Sequence, residues 1–217
     1  MLLFGTAATA WAVTVERMSG MDAGPGTDLG PLDWYLGIWA TMTAAMMLPS
    51  ALHVARGLLF VAGYLATWTA FGLAAYGLFR LVTSFDTGWL AWDRGGPYVA
   101  GGAIVAAGIY ELTPLKEHCL HRCHTPAGRG GLAHGVDCVG CCLGLMAALF
   151  ALGVMSLFWM AVVACVIFAE KVLPQGLRLT RGVALALVVL GIWVAGSPSS
   201  VPGFTEPDRS PSMQMEV

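Results

Sequence analysis

Between Leu58 and Phe79 the chain carries no charged side chain, and a second uncharged run extends from Val139 to Ala169. A helix needs about 20 apolar residues, rising 1.5 Å each, to cross a bilayer. Runs of this kind leave little choice but a membrane-spanning helical fold. Composition agrees: 57% of the residues are hydrophobic and 11% charged, with a mean hydropathy of +0.72. An average soluble domain is about 25% charged. The bilayer is therefore the expected partner of most of the surface. A net charge of -2 gives no basis for a nucleic-acid partner, and the 28 glycines suit close helix packing in lipid. The first residues lack the basic region and small-residue cleavage site of a secretory signal peptide.

In chain order, Leu2 to Val15 is a short first span. A loop with Asp22, Asp28 and Asp33 follows, rich in the Gly and Pro of turns. The second span runs from Trp34 to about His53, with a kink expected at Pro49. The third covers Leu58 to Phe79 and the fourth Pro97 to Leu115. Val139 to Val172 would make a helix of about 50 Å, too long for a core of about 30 Å. A hairpin turning near Gly153-Val154-Met155-Ser156 is preferred. The last span is Gly182 to Ala195. On the hairpin reading, Arg56, the Lys116/Arg122/Arg129 group and the Lys171/Arg178/Arg181 group share one side, and the Asp loop faces the other. The positive-inside rule makes the basic side cytoplasmic. The fold expectation is thus all-α: a polytopic transmembrane bundle of six to seven spans over residues 1–196. It carries a Cys/His-rich segment at 116–142 and a disordered tail at 197–217.

That segment concentrates the chemistry. All of the six Cys except Cys165, and all of the five His except His53, lie between His118 and Cys142. Thiols and imidazoles are soft to borderline metal ligands, and thiols are also redox groups. Cys138-Val139-Gly140-Cys141-Cys142 is a C-x-x-C with an added vicinal Cys, more specific than a bare pair. If a helix starts near Cys138, then Cys138, Cys142 and Met146 share a face. Gly140 and Gly144 would let another helix pass close to the sulfurs. Upstream, Cys119 and Cys123 are one helical turn apart, flanked by His118, His121 and His124, with His134 beyond. Free Cys is also a common buried residue, and a solvated His loop is the plain alternative. The spacing is not that of a Cys2His2 zinc finger.

Met42, Met46, Pro49 and His53 fall on one helical stripe. Two thioethers and an imidazole would suit Cu(I), although Met is equally an ordinary apolar filler. Glu111 and Glu170 are carboxylates at membrane depth. Lys116 is the expected partner of Glu111, and Lys171 or Arg178 that of Glu170. Phosphate-loop, H-E-x-x-H, C-x-x-C-H and Ser-nucleophile motifs are absent.

The ordered set M-S-G-M-D-A-G-P-G, W-x-x-M-T-A-A-M-M-L-P-S, G-Y-L-A-T-W, Y-E-L-T-P-L-K-E-H-C-L-H-R-C, G-V-D-C-V-G-C-C-L-G-L-M and M-S-L-F-W-M…A-E-K resembles an uncharacterised bacterial family described as predicted metal-binding integral membrane proteins. The resemblance covers residues 18 to 175. It implies a membrane helical fold and a metal site at the matching Met, Cys and His positions. The chain departs from the pattern at M-S-L-F-W-M, where an Asn is expected after the Met.

The resulting expectation is a multi-pass protein of the bacterial inner (cytoplasmic) membrane that handles a soft transition metal, Cu(I) first and Zn(II) second. Its ligands would be Cys119, Cys123, Cys138, Cys141 and Cys142. His118, His121, His124 and His134 are secondary, and Met42, Met46 and His53 form a way station. A metal-delivery protein is the expected partner. The rival is a membrane thiol–disulfide oxidoreductase pairing Cys138 with Cys141 and Cys119 with Cys123. Such a relay normally works on the oxidising side, whereas the basic residues place this segment on the reducing side.

Overall fold

The computed structural model describes residues 2–19, 29–51, 57–84, 95–125, 130–153, 156–173 and 176–204. Its elements are α1 (Leu2–Met18), α2 (Leu32–Ala51), α3 (Leu58–Ser84), α4 (Gly96–Glu111), α5 (Pro114–His124), α6 (Gly131–Gly153), α7 (Leu157–Val172) and α8 (Gly176–Gly196), followed by a short 3-10 turn at Pro198–Ser200. No strand occurs among the described residues. The all-α expectation holds.

The span count is lower than expected. Three helices among the described residues are long and apolar enough to cross a membrane, at Leu58–Ser84, Gly131–Gly153 and Arg178–Gly196. The bent pair α4–α5 makes a fourth if it counts as one span. The reason is length and polarity. Helices α1, α4 and α7 have 17, 16 and 16 residues, about 24–26 Å each against a core of about 30 Å. Helix α2 has the length, but it carries Asp33, Thr41, Thr43, Pro49 and Ser50. Pro49 lies in its last turn, two residues before its end.

The stretch from Val139 to Val172 is two helices, not one. Gly153 ends α6 at φ +109, a conformation that costs glycine little. The Ser156 N–H donates to the Gly153 carbonyl at 3.0 Å, and α7 then returns. Lys171 near the end of α7 reaches Cys138 near the start of α6, so the two helices are antiparallel.

Proline shapes the other break. Pro97 sits in the first turn of α4, where its missing N–H is no loss. Pro114 disfavours a helical Thr113, which is extended at φ -76, ψ 148. The Thr113 hydroxyl accepts from the Lys116 N–H at 3.4 Å and starts α5. The chain bends by 62° there, which cuts the expected Pro97 to Leu115 span at Leu112–Thr113 and lays α5 against α6.

Glycine sets the closest helix contacts. Helices α4 and α8 form the most extensive interface. A Cβ on Gly191 would lie 2.6 Å from the Gly101 carbonyl, and one on Gly108 would lie 2.9 Å from that of Ala184. At the start of α6 a Cβ on Gly131 would collide with the Phe60 carbonyl. The core holds Trp39, Trp68, Tyr35 and Tyr64, all nearly inaccessible. The Trp39 indole N–H donates to the Trp68 carbonyl at 2.8 Å. The first tail residues pack back: Val201 is buried, and the Ser156 hydroxyl donates to the Gly203 carbonyl at 3.4 Å. Residues 205–217 lie outside the described residues.

Candidate metal centre

Helix α6 begins at Gly131, so Cys138 stands two turns inside it rather than at its start. Gly131 and Gly135 let α6 start early by fitting against Phe60 and Thr67 of α3. Cys138, Cys141 and Cys142 are buried, at 0%, 1% and 1% exposure. Their sulfurs all lie within 4.8 Å of one another, the one such group of Cys, His, Asp or Glu side chains among the described residues. Cys141 Sγ is 3.6 Å from Cys142 Sγ and donates to the Cys138 carbonyl at 3.2 Å. With metal–sulfur bonds of about 2.3 Å, two sulfurs on opposite sides of one ion are about 4.6 Å apart. The cluster is the right size to close on a single soft ion.

Helix α5 adds to it. Cys119 and Cys123 both face inward. Cys123 Sγ lies 3.6 Å from Cys141 Sγ. Cys119 packs on Gly140, where a Cβ would come within 2.6 Å of its sulfur. Gly144, one turn on, faces Glu111 Oε1 in the same way at 2.7 Å. The Tyr110 hydroxyl donates to the Gly140 carbonyl at 2.6 Å. The two glycines of α6 thus do bring another helix to the sulfurs.

Two lysines expected at the membrane surface are inside. The Lys116 ammonium, at 1% exposure, bridges Glu111 at 2.6 Å and Glu170 at 2.8 Å. The expected Glu111 partner is therefore right. The expected Glu170 partner is corrected: it is Lys116, because Lys171 is taken by the thiols. Lys171 Nζ donates to Cys138 Sγ at 2.8 Å. The same sulfur is hydrogen-bonded to the Tyr64 hydroxyl at 2.9 Å, and either atom is able to donate. An ammonium against a sulfur complements thiolate charge. Tyr64 and Lys171 are the residues that sequence reasoning missed. The available signal was a lysine that ends an otherwise apolar helix, which was read as an anchor.

The histidines are spread out. His118 and His121 are exposed on α5. His124 Nε2 is 3.0 Å from the Glu170 carbonyl. His134 is buried between the rings of Phe60 and Tyr64, with centroids at 5.5 and 5.8 Å. None of the four belongs to the close thiol group. His53 lies outside the described residues. Met42 and Met46 are buried and share a face of α2 with Trp39. That face meets Phe71 of α3 and Phe150 of α6, at 6.0 and 5.7 Å between rings. Tyr35 against Tyr76 makes α2 and α3 antiparallel. Met46 is about two turns beyond Trp39, and Tyr64 about two turns before Phe71. Met46 therefore lies at the level of Tyr64, whose hydroxyl touches Cys138.

An all-helical bundle with a buried three-thiol cluster and a buried ammonium against it defines a protein built to handle a soft metal ion. Residues 36–194 match the PpoB2 family, described as copper chaperones. The match spans most of the chain and every thiol of the site, and the chain belongs to that copper chaperone family. No curated protein and no solved structure matches it. Family membership and the three-thiol cluster both point to a soft metal ion such as copper.

Proposed function

We propose that the protein is a multi-pass protein of the bacterial inner membrane that carries copper as Cu(I) on Cys138, Cys141 and Cys142 and passes it to a delivery partner. Cys123 is the fourth sulfur, and Zn(II) is the second-choice ion. The observation that carries the reading is the group of three buried sulfurs within 4.8 Å on one helix. Thiolates are soft ligands that select Cu(I), and family membership supports copper. Membrane embedding is supported by the apolar helices and by their exposed side chains, such as Leu59 at 91% and Leu185 at 67%. Met42 and Met46 would serve as a thioether way station at the level of the thiols. Exposed His118 and His121 would capture the ion, and Cys119, His124, His134 and His53 are subsidiary ligands along its route.

The test is metal analysis of protein purified in detergent under reducing conditions and loaded with Cu(I) or Zn(II). About one tightly held copper per chain is expected, lost in the Cys138→Ser/Cys141→Ser/Cys142→Ser variant. Equal copper in that variant sinks the reading. One observation favours a second reading: Cys123 Sγ and Cys141 Sγ, at 3.6 Å, are close enough to oxidise to a disulfide. A thiol–disulfide oxidoreductase would lose two thiols per chain on treatment with a quinone and bind no copper.

A further inference from the structure

We infer that the thiol centre has a second Cu(I) site beside the first, carried by Cys123 and bridged to the inner ion through Cys141. This rests on the copper–thiol reading above. Cys138, Cys141 and Cys142 place every sulfur within 4.8 Å of the others, and Cys123 is not part of that group. Its sulfur therefore lies beyond 4.8 Å from at least one of Cys138 and Cys142. Two sulfurs on one ion are at most about 4.6 Å apart, twice a metal–sulfur bond of about 2.3 Å. One ion thus does not reach all four sulfurs in this arrangement. The sulfur that Cys123 does meet is Cys141, at 3.6 Å. Cys141 Sγ is also 3.6 Å from Cys142 Sγ, so it joins the inner group to the thiol of α5. A thiolate keeps spare lone pairs after binding one soft ion, and these are free to bind another.

Charge separates a second ion from a fourth ligand. Cu(I) carries one positive charge, so three thiolates around it leave two negative charges, and the Lys171 ammonium beside Cys138 offsets one of them. A fourth thiolate on the same ion would add a negative charge in a medium that screens poorly. Cys123 together with a second Cu(I) adds none, because the new thiolate and the new ion cancel. The step is Cys123 S–H plus Cu(I) giving a sulfur–copper bond and a proton, which leaves to water. The first ion likewise displaces to water the protons that its own thiols hold. Lys171 keeps its place at Cys138 throughout. An ion about 2.3 Å from two sulfurs 3.6 Å apart sits to one side of the line between them. That leaves its coordination open to a third ligand. Cys119 is the next thiol on the inward side of α5, one turn before Cys123. Cys119 and Cys123, at 8% and 3% exposure, are less completely covered than the inner three at 0%, 1% and 1%. The outer ion is the one that enters and leaves first.

Stoichiometry and a metal–metal distance test this together. Wild type and Cys123→Ser, purified in detergent under reducing conditions, are titrated with Cu(I) against a water-soluble Cu(I) chelator. Wild type should saturate at about two ions per chain, the second held more weakly and released first, and Cys123→Ser at about one. The affinity for the first ion should change by less than about 3-fold. X-ray absorption of the doubly loaded wild type should show a copper–copper distance under about 4.6 Å, the reach of two metal–sulfur bonds through one shared sulfur. About one proton should be released with the second ion. Saturation of wild type at a single ion overturns the inference. So does a second ion that survives Cys123→Ser. A weaker first ion in Cys123→Ser, with stoichiometry unchanged from wild type, also overturns it and makes Cys123 a fourth ligand of one ion. Cys123→Ala serves as the second variant. Should neither variant fold, the wild-type absorption spectrum decides, and a doubly loaded protein without the copper–copper signal overturns the inference. A wild type that binds no Cu(I), or a triple Cys→Ser variant that binds as well as wild type, fails the copper reading itself.

Discussion

The α4–α8 interface and the α4–α5–α6–α7 end of the bundle use the same device for different purposes. Both bring helices together over glycine. At α4–α8, Gly101, Gly108 and Gly191 meet backbone and aliphatic side chains, and the gain is packing alone. At the other end, Gly140 and Gly144 make room for the Cys119 sulfur and the Glu111 carboxylate. Close approach there admits chemistry that a packed aliphatic seam would exclude. A G-x-x-x-G pattern therefore says that something comes close. Which thing comes close depends on the facing helix.

The largest expected effect breaks the charged end. Lys116→Met leaves Glu111 and Glu170 buried without their shared cation. It should cost about 3–5 kcal/mol, as breaking a buried ion pair does. Denaturant unfolding in detergent measures it, and adding Glu111→Gln and Glu170→Gln should recover most of the loss. No recovery would show that Lys116 matters for shape rather than charge. Next is the glycine comparison. Gly191→Ala pushes a methyl into the Gly101 carbonyl region and should cost about 1–3 kcal/mol, while copper per folded molecule stays constant. Gly144→Ala should cost a similar amount but also lower copper content, because it displaces Glu111 and α4. Equal copper content in the two variants would erase the distinction drawn above.

A smaller effect is expected at Gly140→Ala, since the Cys119 side chain that faces it is able to turn away. A loss within about 1 kcal/mol is expected, with copper affinity retained. Smallest in stability is Met42→Leu with Met46→Leu, which conserves volume and should cost under about 1.5 kcal/mol. Its signature would be slower copper transfer to an acceptor at an unchanged melting temperature. Unchanged transfer would return both residues to core packing.

Helices and turns were legible because each rests on a local signal. Pro114 breaks α4 from α5, and the Gly153–Ser156 turn divides α6 from α7 despite the absence of the expected Asn. That another helix would pass close to the sulfurs was legible too, from Gly140 and Gly144, but that it sets Cys123 on Cys141 was not, because spacing pairs Cys123 with Cys119 and Cys141 with Cys138. The span count was not, because hydropathy runs past helix ends: the break at Leu112–Thr113 cuts an apolar run that reads as continuous. The lysines were misread for a related reason. A basic residue ending an apolar stretch looks like a surface anchor, and only the packing of α7 on α6 and α5 shows that Lys116 and Lys171 point inward. Tyr64 lies far from the Cys/His segment in the chain, so no spacing rule could connect its hydroxyl to Cys138.

Lys171 reaches Cys138 only when α7 has folded back along α6, and chain order gives this fold-back a role in biosynthesis. The thiols at 138–142 leave the ribosome before the lysine that balances them. The nascent chain thus presents an uncompensated cluster until the hairpin closes. Closure of that hairpin is then the step that completes the cluster, and a chain stopped before residue 171 would carry the same cysteines without the ammonium beside them.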